Sequence, residues 1–187
     1  MSLLIRIYLL VHKVLSLTFL RKVTELGESV TAGRGLYITN NGNISIGDNV
    51  SFANDVLLST YTGGKLSIGS DCFFGDNCKI VTERSTVSIG NDCLVAEHVS
   101  IRASNHGIKL GSKIRNQKNT VSPIVIGNDV WIGKSSTILA GSYVPNGCVI
   151  GANSLVLGKS DLRENCVYGG VPVKFLSERK LPIGQNY

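Results

Sequence analysis

The stretch that decides the fold covers residues 126–156 and reads IGNDVWIGKSSTILAGSYVPNGCVIGANSLV. An aliphatic residue returns at every sixth position without a break: Ile126, Ile132, Ile138, Val144, Ile150 and Val156. The same spacing occurs upstream in three triplets: Ile46, Phe52 and Leu58; Ile68, Phe74 and Ile80; Ile89, Val95 and Ile101. A period of six is not the 3.6-residue period of a helix, and these short runs leave no room for helical crossovers. The pattern predicts an all-β prism in which each triplet forms one three-sided turn.

A second row of residues lies four positions after the anchors and consists of small or β-branched side chains. Its members are Val50, Cys72, Cys78, Cys93, Val99, Val130, Ser136, Ser142, Cys148 and Ser154. We expect this row to face inward, so its cysteines are interpreted as small core residues and not as nucleophiles or metal ligands. Glycine followed by Asn or Asp recurs between the rows, for example at residues 47–49 and 127–129. Such residues accept the left-handed backbone angles of tight corners.

The composition is that of one globular domain, with 187 residues of which 43% are apolar and 17% charged. A formal net charge of +6 favours an anionic partner: a nucleic acid, a membrane surface, a phosphorylated cofactor or an acidic glycan. Charge alone does not choose among these. Five cysteines without a CxxC pair, and the lack of a small-residue cleavage site, favour a reducing cytoplasm.

The chain opens with the apolar segment MSLLIRIYLLVHKVLSLTFLRKV. Arg6, His12 and Lys13 interrupt it well before the roughly 20 apolar residues that a membrane span requires. We expect an amphipathic helix over residues 1–25. Residues 1–22 of it would make a peripheral contact with anionic lipid at the inner face of the membrane, or would pack on the domain or a neighbouring subunit.

The repeat stretch, followed by GGVPVK at residues 169–174, resembles the hexapeptide-repeat acetyltransferases. The motifs are similar to those of galactoside, maltose and virginiamycin-type enzymes and of polysaccharide O-acetyltransferases. The resemblance implies a left-handed parallel β-helix over residues 36–168 and a C-terminal segment at 169–187. It also implies acetyl-CoA as acyl donor and a homotrimer with the coenzyme site between adjacent subunits. We expect no metal, because His98 and His106 alone among the histidines lie in the repeat region.

The repeat frame has one large interruption, because Ile89 and Ile126 are 37 residues apart where one turn needs eighteen. The excess predicts a protruding loop at residues 104–123, and long loops on repetitive scaffolds usually carry function. Asn105 and His106 stand at its base. The resemblance implies that this pair is catalytic, with His106 as general base. Neutral imidazole can take the proton of a sugar hydroxyl as that weak nucleophile attacks a thioester.

The resemblance also implies a set of coenzyme contacts. Trp131 should point outward and flank the pantetheine arm, since it follows inward-facing Val130. The remaining coenzyme residues are Lys134, Ala152 through its backbone amide, Lys159 and Lys174. Lysine side chains can meet the phosphates as point charges.

For the acceptor we expect Glu83 and Arg84, an extra corner one turn before His106, together with His98. The resulting hypothesis is an acetyl-CoA-dependent O-acetyltransferase acting on a carbohydrate of capsule, lipopolysaccharide or exopolysaccharide, without a nucleic-acid partner. The alternatives are acetylation of a small molecule, such as an antibiotic, a nucleotide-sugar amine or serine, and a non-catalytic trimeric scaffold. Release of free thiol from acetyl-CoA across an acceptor panel discriminates them.

Overall fold

The computed structural model describes residue 7, residues 23–40 and residues 43–180, and the two longer ranges form a left-handed parallel β-helix of about seven turns. The all-β prism predicted from the six-residue period is confirmed. Three sheets, A, B and C, make the sides of the prism. Sheet A contains β1 (Glu25–Leu26), β4 (Asn43–Ile46), β7 (Lys65–Ile68), β10 (Thr86–Ile89), β15 (Ile124–Ile126) and β18 (Tyr143–Val144).

Sheet B contains β2 (Thr31–Ala32), β5 (Ser51–Phe52), β8 (Phe73–Phe74), β11 (Leu94–Val95), β16 (Trp131–Ile132), β19 (Val149–Ile150), β21 (Cys166–Gly169) and β22 (Lys174–Glu178). Sheet C contains β3 (Tyr37–Asn40), β6 (Leu57–Tyr61), β9 (Lys79–Glu83), β12 (Ser100–Arg102), β17 (Thr137–Leu139) and β20 (Leu155–Val156). Neighbouring strands in the three sheets are parallel, except that β22 folds back antiparallel onto β21. Successive turns therefore stack side on side, and residues of equal register form straight ladders along the axis.

The core consists of the two predicted inward rows. The anchors Ile46, Ile68, Ile89 and Ile126 lie opposite one another on adjacent strands, and each is at most 3% exposed. The second row is buried too, and all five cysteines are free thiols inside the prism. Burial of the side chains in these ladders is the main contribution to the stability of such a repeat fold. Each turn contacts only the turns next to it, so its apolar side chains are covered by theirs.

The corners between sheets A and B follow the predicted Gly-Asn/Asp pattern. The third residue of each motif adopts a positive φ angle; the residues are Asn49, Asp71, Asp92 and Asp129. The middle residue binds the turn before it, since the Asn91 side chain accepts from the Ser70 N–H at 2.8 Å. Asn128 accepts in the same way from the Asn91 N–H at 2.8 Å. A side-chain ladder thus satisfies backbone donors that a strand ending at a corner would leave unpaired.

The described turns begin at β1 and β2, which lie ahead of residue 36, the predicted start of the β-helix. Of the predicted N-terminal helix, Ile7 is helical and exposed, and most of its other residues lie outside the described part of the chain. Within residues 23–40 and 43–180, no helix is long and apolar enough to cross a membrane. The C-terminal segment contributes β22, and residues 181–187 lie outside the described ranges.

Candidate active site

The large interruption of the repeat forms a loop that leaves the prism after β12 and returns to it at β15, at the corner between sheets C and A. Its base is an antiparallel pair, β13 (Ser104–Asn105) and β14 (Thr120–Val121). A short 3-10 helix, η1 (Ile114–Asn116), lies near its far end. The paired base fixes where the loop leaves the rigid prism.

His106 is the first residue after β13, and its side chain is exposed. It lines a groove of about 1130 Å³ that the loop forms with itself, together with Asn105, Lys109, Lys118 and Asn119. The next residue, Gly107, is buried against the returning segment: a Cβ there would lie 2.8 Å from both the Gln117 Cβ and the Lys118 carbonyl oxygen. Only glycine allows this approach without displacing the segment that faces His106.

The Gln117 side chain holds the loop together from inside. Its Oε1 accepts from the Lys109 N–H at 2.9 Å, and its Nε2 donates to the carbonyl oxygens of Lys109 at 2.8 Å and Ser112 at 3.1 Å. One amide therefore joins the outgoing and returning halves of the loop. These side-chain hydrogen bonds take the place of backbone strand pairing, which is not regular in this part of the loop.

Glu83 and Arg84 lie at the same corner, one turn before the loop. The Asn119 side chain donates to Glu83 Oε2 at 2.8 Å, and the Arg84 guanidinium donates to the Asn119 carbonyl oxygen at 3.2 Å. Glu83 and Arg84 also form an ion pair at 3.2 Å. The structure thus places these predicted acceptor residues next to the groove, where they hold the returning segment through Asn119.

Trp131 lies on β16 of sheet B with its indole 52% exposed, so the prediction that it points outward is confirmed. It lines a second groove of about 320 Å³ with Leu94, Asp129, Val149 and Arg179. Arg179 donates to Asp129 at 2.7 Å and so closes one side of that groove. Large apolar side chains continue below the indole in register, because Trp131 lies opposite Leu94, and Leu94 lies opposite Phe73.

Lys134 lies at the corner between sheets B and C, two residues after the end of β16. Its ammonium is 3.0 Å from a Glu97 carboxylate oxygen one turn below. A hydrogen bond with its own backbone and the Lys134 ammonium lower the pKa of the Glu97 carboxyl. Ala152 lies at this corner one turn above, where the Asn153 N–H donates to the Lys134 carbonyl oxygen at 2.8 Å.

The other three predicted residues fall in different places. Lys174 is exposed on β22 of sheet B, on the same side of the prism as Trp131. His98 is exposed at the corner between sheets B and C, beside Asn77 and Lys79. Lys159 follows β20 at the corner between sheets C and A, which is the corner that carries the loop. No group of three or more His, Cys, Asp or Glu residues within the described ranges could hold a metal ion.

Comparison with known proteins identifies the family. The family description "Bacterial transferase hexapeptide (six repeats)" matches residues 123–158, and "Hexapeptide repeat of succinyl-transferase" matches residues 65–103. WbbJ of Escherichia coli (strain K12), named as a lipopolysaccharide biosynthesis O-acetyl transferase, is 34% identical over 155 residues, which are 76% of this chain and 75% of that protein. The chain belongs to the hexapeptide-repeat acetyltransferase family.

Two further similarities concern another relative and the fold. The galactoside O-acetyltransferase of Escherichia coli (strain K12) is 33% identical over 135 residues, 72% of this chain and 63% of that protein. Among solved structures, AntD, an N-acyltransferase from Bacillus cereus in complex with dTDP and 3-hydroxybutyryl-CoA, shares the fold. Its TM-score is 0.73 at 22% identity, covering 86% of this chain and 85% of that chain.

Within this acyltransferase the predicted site residues separate into two groups. Asn105, His106, Glu83, Arg84 and Lys159 lie at the corner between sheets C and A. Trp131, Lys134, Ala152, Lys174 and His98 lie on sheet B or at its corner with sheet C, on the opposite side of the prism. One chain therefore does not bring the histidine and the tryptophan together.

Three residues that shape the loop groove were not predicted from the sequence: Gly107, Gln117 and Asn119. The signal for Gly107 was present, since a glycine beside a candidate catalytic histidine often marks a close backbone approach. The sequence carries no such signal for Gln117 and Asn119. Both lie in the loop, where the six-residue repeat is interrupted, and their hydrogen-bond partners are 5 to 36 residues away.

Proposed function

We propose that this acyltransferase transfers an acetyl group from acetyl-CoA to a hydroxyl group of a carbohydrate, with His106 as general base. The observation that carries the proposal is the position of His106, which follows the paired base of the loop and faces a groove large enough for a sugar. Its imidazole takes the hydroxyl proton as the oxygen attacks the thioester carbonyl carbon. The C–O bond forms, the C–S bond breaks, and the proton passes to the departing thiolate.

We propose that the acetyl-CoA donor binds to the exposed surface of sheet B. Trp131 offers an indole face, and Lys134, Ala152 and Lys174 lie on the same side of the prism. An indole above an apolar ladder suits the pantetheine arm, and exposed ammonium groups suit its phosphates. Support comes from relatives named as acetyltransferases and from a similar fold solved with an acyl-CoA.

The active assembly that we propose is a homotrimer. His106 and Trp131 lie on opposite sides of one chain, yet at the same level along the axis, because the loop connects β12 to β15 and β16 follows directly. A ring of copies with parallel axes would bring the loop of one copy to sheet B of the next. The loop also exposes Ile108 and Leu110, while sheet B exposes Leu94 and Trp131, so each side has apolar surface to cover.

For the acceptor, we propose a sugar unit of a surface polysaccharide or lipopolysaccharide, and the names of the two Escherichia coli relatives support a carbohydrate. Glu83 and Arg84 would contact it only beside Asn119, which they already bind. We also propose a cytoplasmic location, with a peripheral contact between residues 1–22 and the inner face of the membrane.

The test is thiol release from acetyl-CoA with sugars, acidic and neutral polysaccharides, aminoglycosides and serine as acceptors. With the accepted carbohydrate, His106→Ala should lose turnover by roughly 10²–10⁴-fold, the usual contribution of a positioned acid–base group. Acetyl-CoA affinity and particle mass should stay unchanged. Full turnover in His106→Ala would refute the assignment, and a loss in His98→Ala instead would move the base to that residue. If an aminoglycoside or serine is the preferred acceptor, the proposed carbohydrate acceptor is wrong and the enzyme acetylates a small molecule.

A further inference from the structure

The loop that carries His106 is strongly basic. Residues 104–122 contain Lys109, Lys113, Arg115 and Lys118 and no Asp or Glu, so this segment has a net charge of +4. All four side chains belong to exposed residues. The candidate active site thus lies in one of two strongly basic segments of the chain, the other being residues 1–22, which contain Arg6, Lys13, Arg21 and Lys22 and no Asp or Glu.

These loop cations have no carboxylate partner within the described part of the chain. The ion pairs found there join Arg84 to Glu83, Lys134 to Glu97 and Arg179 to Asp129. Glu83 is the carboxylate that reaches the loop, and it is already bound by Arg84 and by the Asn119 amide. Unpaired cations lining a concave surface raise the local concentration of anions there.

Two of the cations line the groove of His106 itself. Lys109 and Lys118 come from the outgoing and returning halves of the loop. The backbone of Lys109 is held at both its N–H and its carbonyl oxygen by Gln117, and the backbone of Lys118 packs against Gly107. Both lysine side chains therefore extend from well-held backbone positions on the two halves of the loop that carries the histidine.

Resting on the proposed function, we infer that the acceptor is an anionic glycan, whose carboxylate or phosphate binds Lys109 and Lys118 while a neighbouring hydroxyl meets His106. A neutral sugar would leave these charges unmatched beside the reacting group. In the proposed function, the coenzyme phosphates would instead be bound by Lys174 on sheet B and by Lys134, whose ammonium is paired with Glu97 in the free protein. The binding should weaken as salt is added, because the groove is open to solvent.

The test compares wild type with the double variant Lys109→Gln/Lys118→Gln in affinity electrophoresis. The probes are alginate oligosaccharides for carboxylate, glucose 1-phosphate for phosphate, and dextran oligosaccharides as the neutral glycan. A matched control is Lys65→Gln/Lys180→Gln, which removes the same charge from exposed positions outside the loop. Acetyl-CoA affinity of each protein is measured in parallel.

We expect wild type to bind at least one acidic probe more tightly than dextran, and the loop variant to lose roughly 10- to 100-fold of that affinity. The control variant should keep it, and acetyl-CoA affinity should not change. Equal losses in both variants, or equal binding of dextran, would overturn the inference. So would a larger loss for acetyl-CoA, which would assign the loop cations to the coenzyme. Absence of His106-dependent thiol release with any acceptor would instead refute the proposed function.

Discussion

Lys174 extends from β22, the strand that folds back on β21 at the end of sheet B. Its side chain is exposed and shares this side of the prism with Trp131. If it binds a coenzyme phosphate in ground and transition states alike, Lys174→Ala should raise the KM for acetyl-CoA roughly tenfold and change kcat little. Steady-state kinetics with Lys65→Ala as the matched exposed lysine checks this. An unchanged KM would show that Lys174 is an exposed surface lysine that does not bind the coenzyme.

Cys78 illustrates how a buried thiol makes the free energy of unfolding depend on pH. It is 1% exposed, and burial raises the pKa of its thiol from 9.0 to about 11. Between pH 9 and 11 the unfolded chain releases this proton while the folded chain keeps it. The unfolded state then binds fewer protons, so the free energy of unfolding falls as pH rises, by at most about 1.4 kcal/mol per pH unit for one thiol.

Urea unfolding of wild type and Cys78→Ala at pH 8, 9, 10 and 11 measures this contribution. The stability gap between the two proteins should narrow as pH rises, although Cys78→Ala starts lower because it leaves a cavity. Part of the alkaline loss should persist in the variant, since burial also raises the pKa of Cys148 to about 11. A gap that stays constant from pH 8 to 11 would contradict the prediction.

At the scale of the element, the side-chain amide of Gln117 holds the two halves of the loop together. Gln117→Ala removes three hydrogen bonds that join its two halves. At about 1 kcal/mol each, their loss should raise amide hydrogen exchange in residues 107–119 by roughly tenfold or more. The kcat should fall while the KM for acetyl-CoA holds. Ser112→Ala is the control, since Ser112 contributes its backbone carbonyl. Unaltered exchange and kcat in Gln117→Ala would show that the loop is held by other contacts.

The N-terminal segment gives a second prediction for an element. Deleting residues 1–22 removes Arg6, Lys13, Arg21 and Lys22 together with most of the apolar opening of the chain. Sedimentation with anionic liposomes should then lose the bound fraction, while thiol release in solution should persist because the loop and sheet B are intact. Neutral liposomes serve as the control. Undiminished binding after the deletion would remove the membrane contact from the proposal.

At the scale of the whole molecule, the proposed roles of His106 and Trp131 require assembly, because one chain holds the two residues on opposite sides of the prism. Light scattering at micromolar concentration should give the mass of a trimer. A stable monomer would contradict it. A monomer that is fully active would show that the sheet B residues do not take part.

Mixed assemblies test the same geometry more sharply. Co-expression of His106→Ala and Trp131→Ala chains with two different tags, followed by purification on both tags, selects trimers that contain both chains. In a closed ring of three, one interface then combines an intact loop with an intact sheet B. We expect about a third of wild-type turnover, although each variant alone is impaired. Turnover no greater than that of the separate variants would place the complete site within one chain.

The sequence by itself determined the repeat and its local consequences. The six-residue period placed Ile46, Ile68, Ile89 and Ile126 in one buried ladder and left Trp131 outside. Positive φ angles fell on the predicted corner residues, such as Asp71. These features were predictable because each depends on residues a few positions apart, repeated in a regular register.

The tertiary structure decided how the loop is built and which residues share a side of the prism. Gln117 and Asn119 find their partners across the loop and across a turn, and the repeat frame says nothing about residues outside it. Lys159 lies at the loop corner and not near Trp131. The side of the prism on which a residue lies depends on where each turn forms its corners. Ladder positions are set by local periodicity, whereas the meeting of two surfaces is set by how whole turns, and whole copies, are arranged in space.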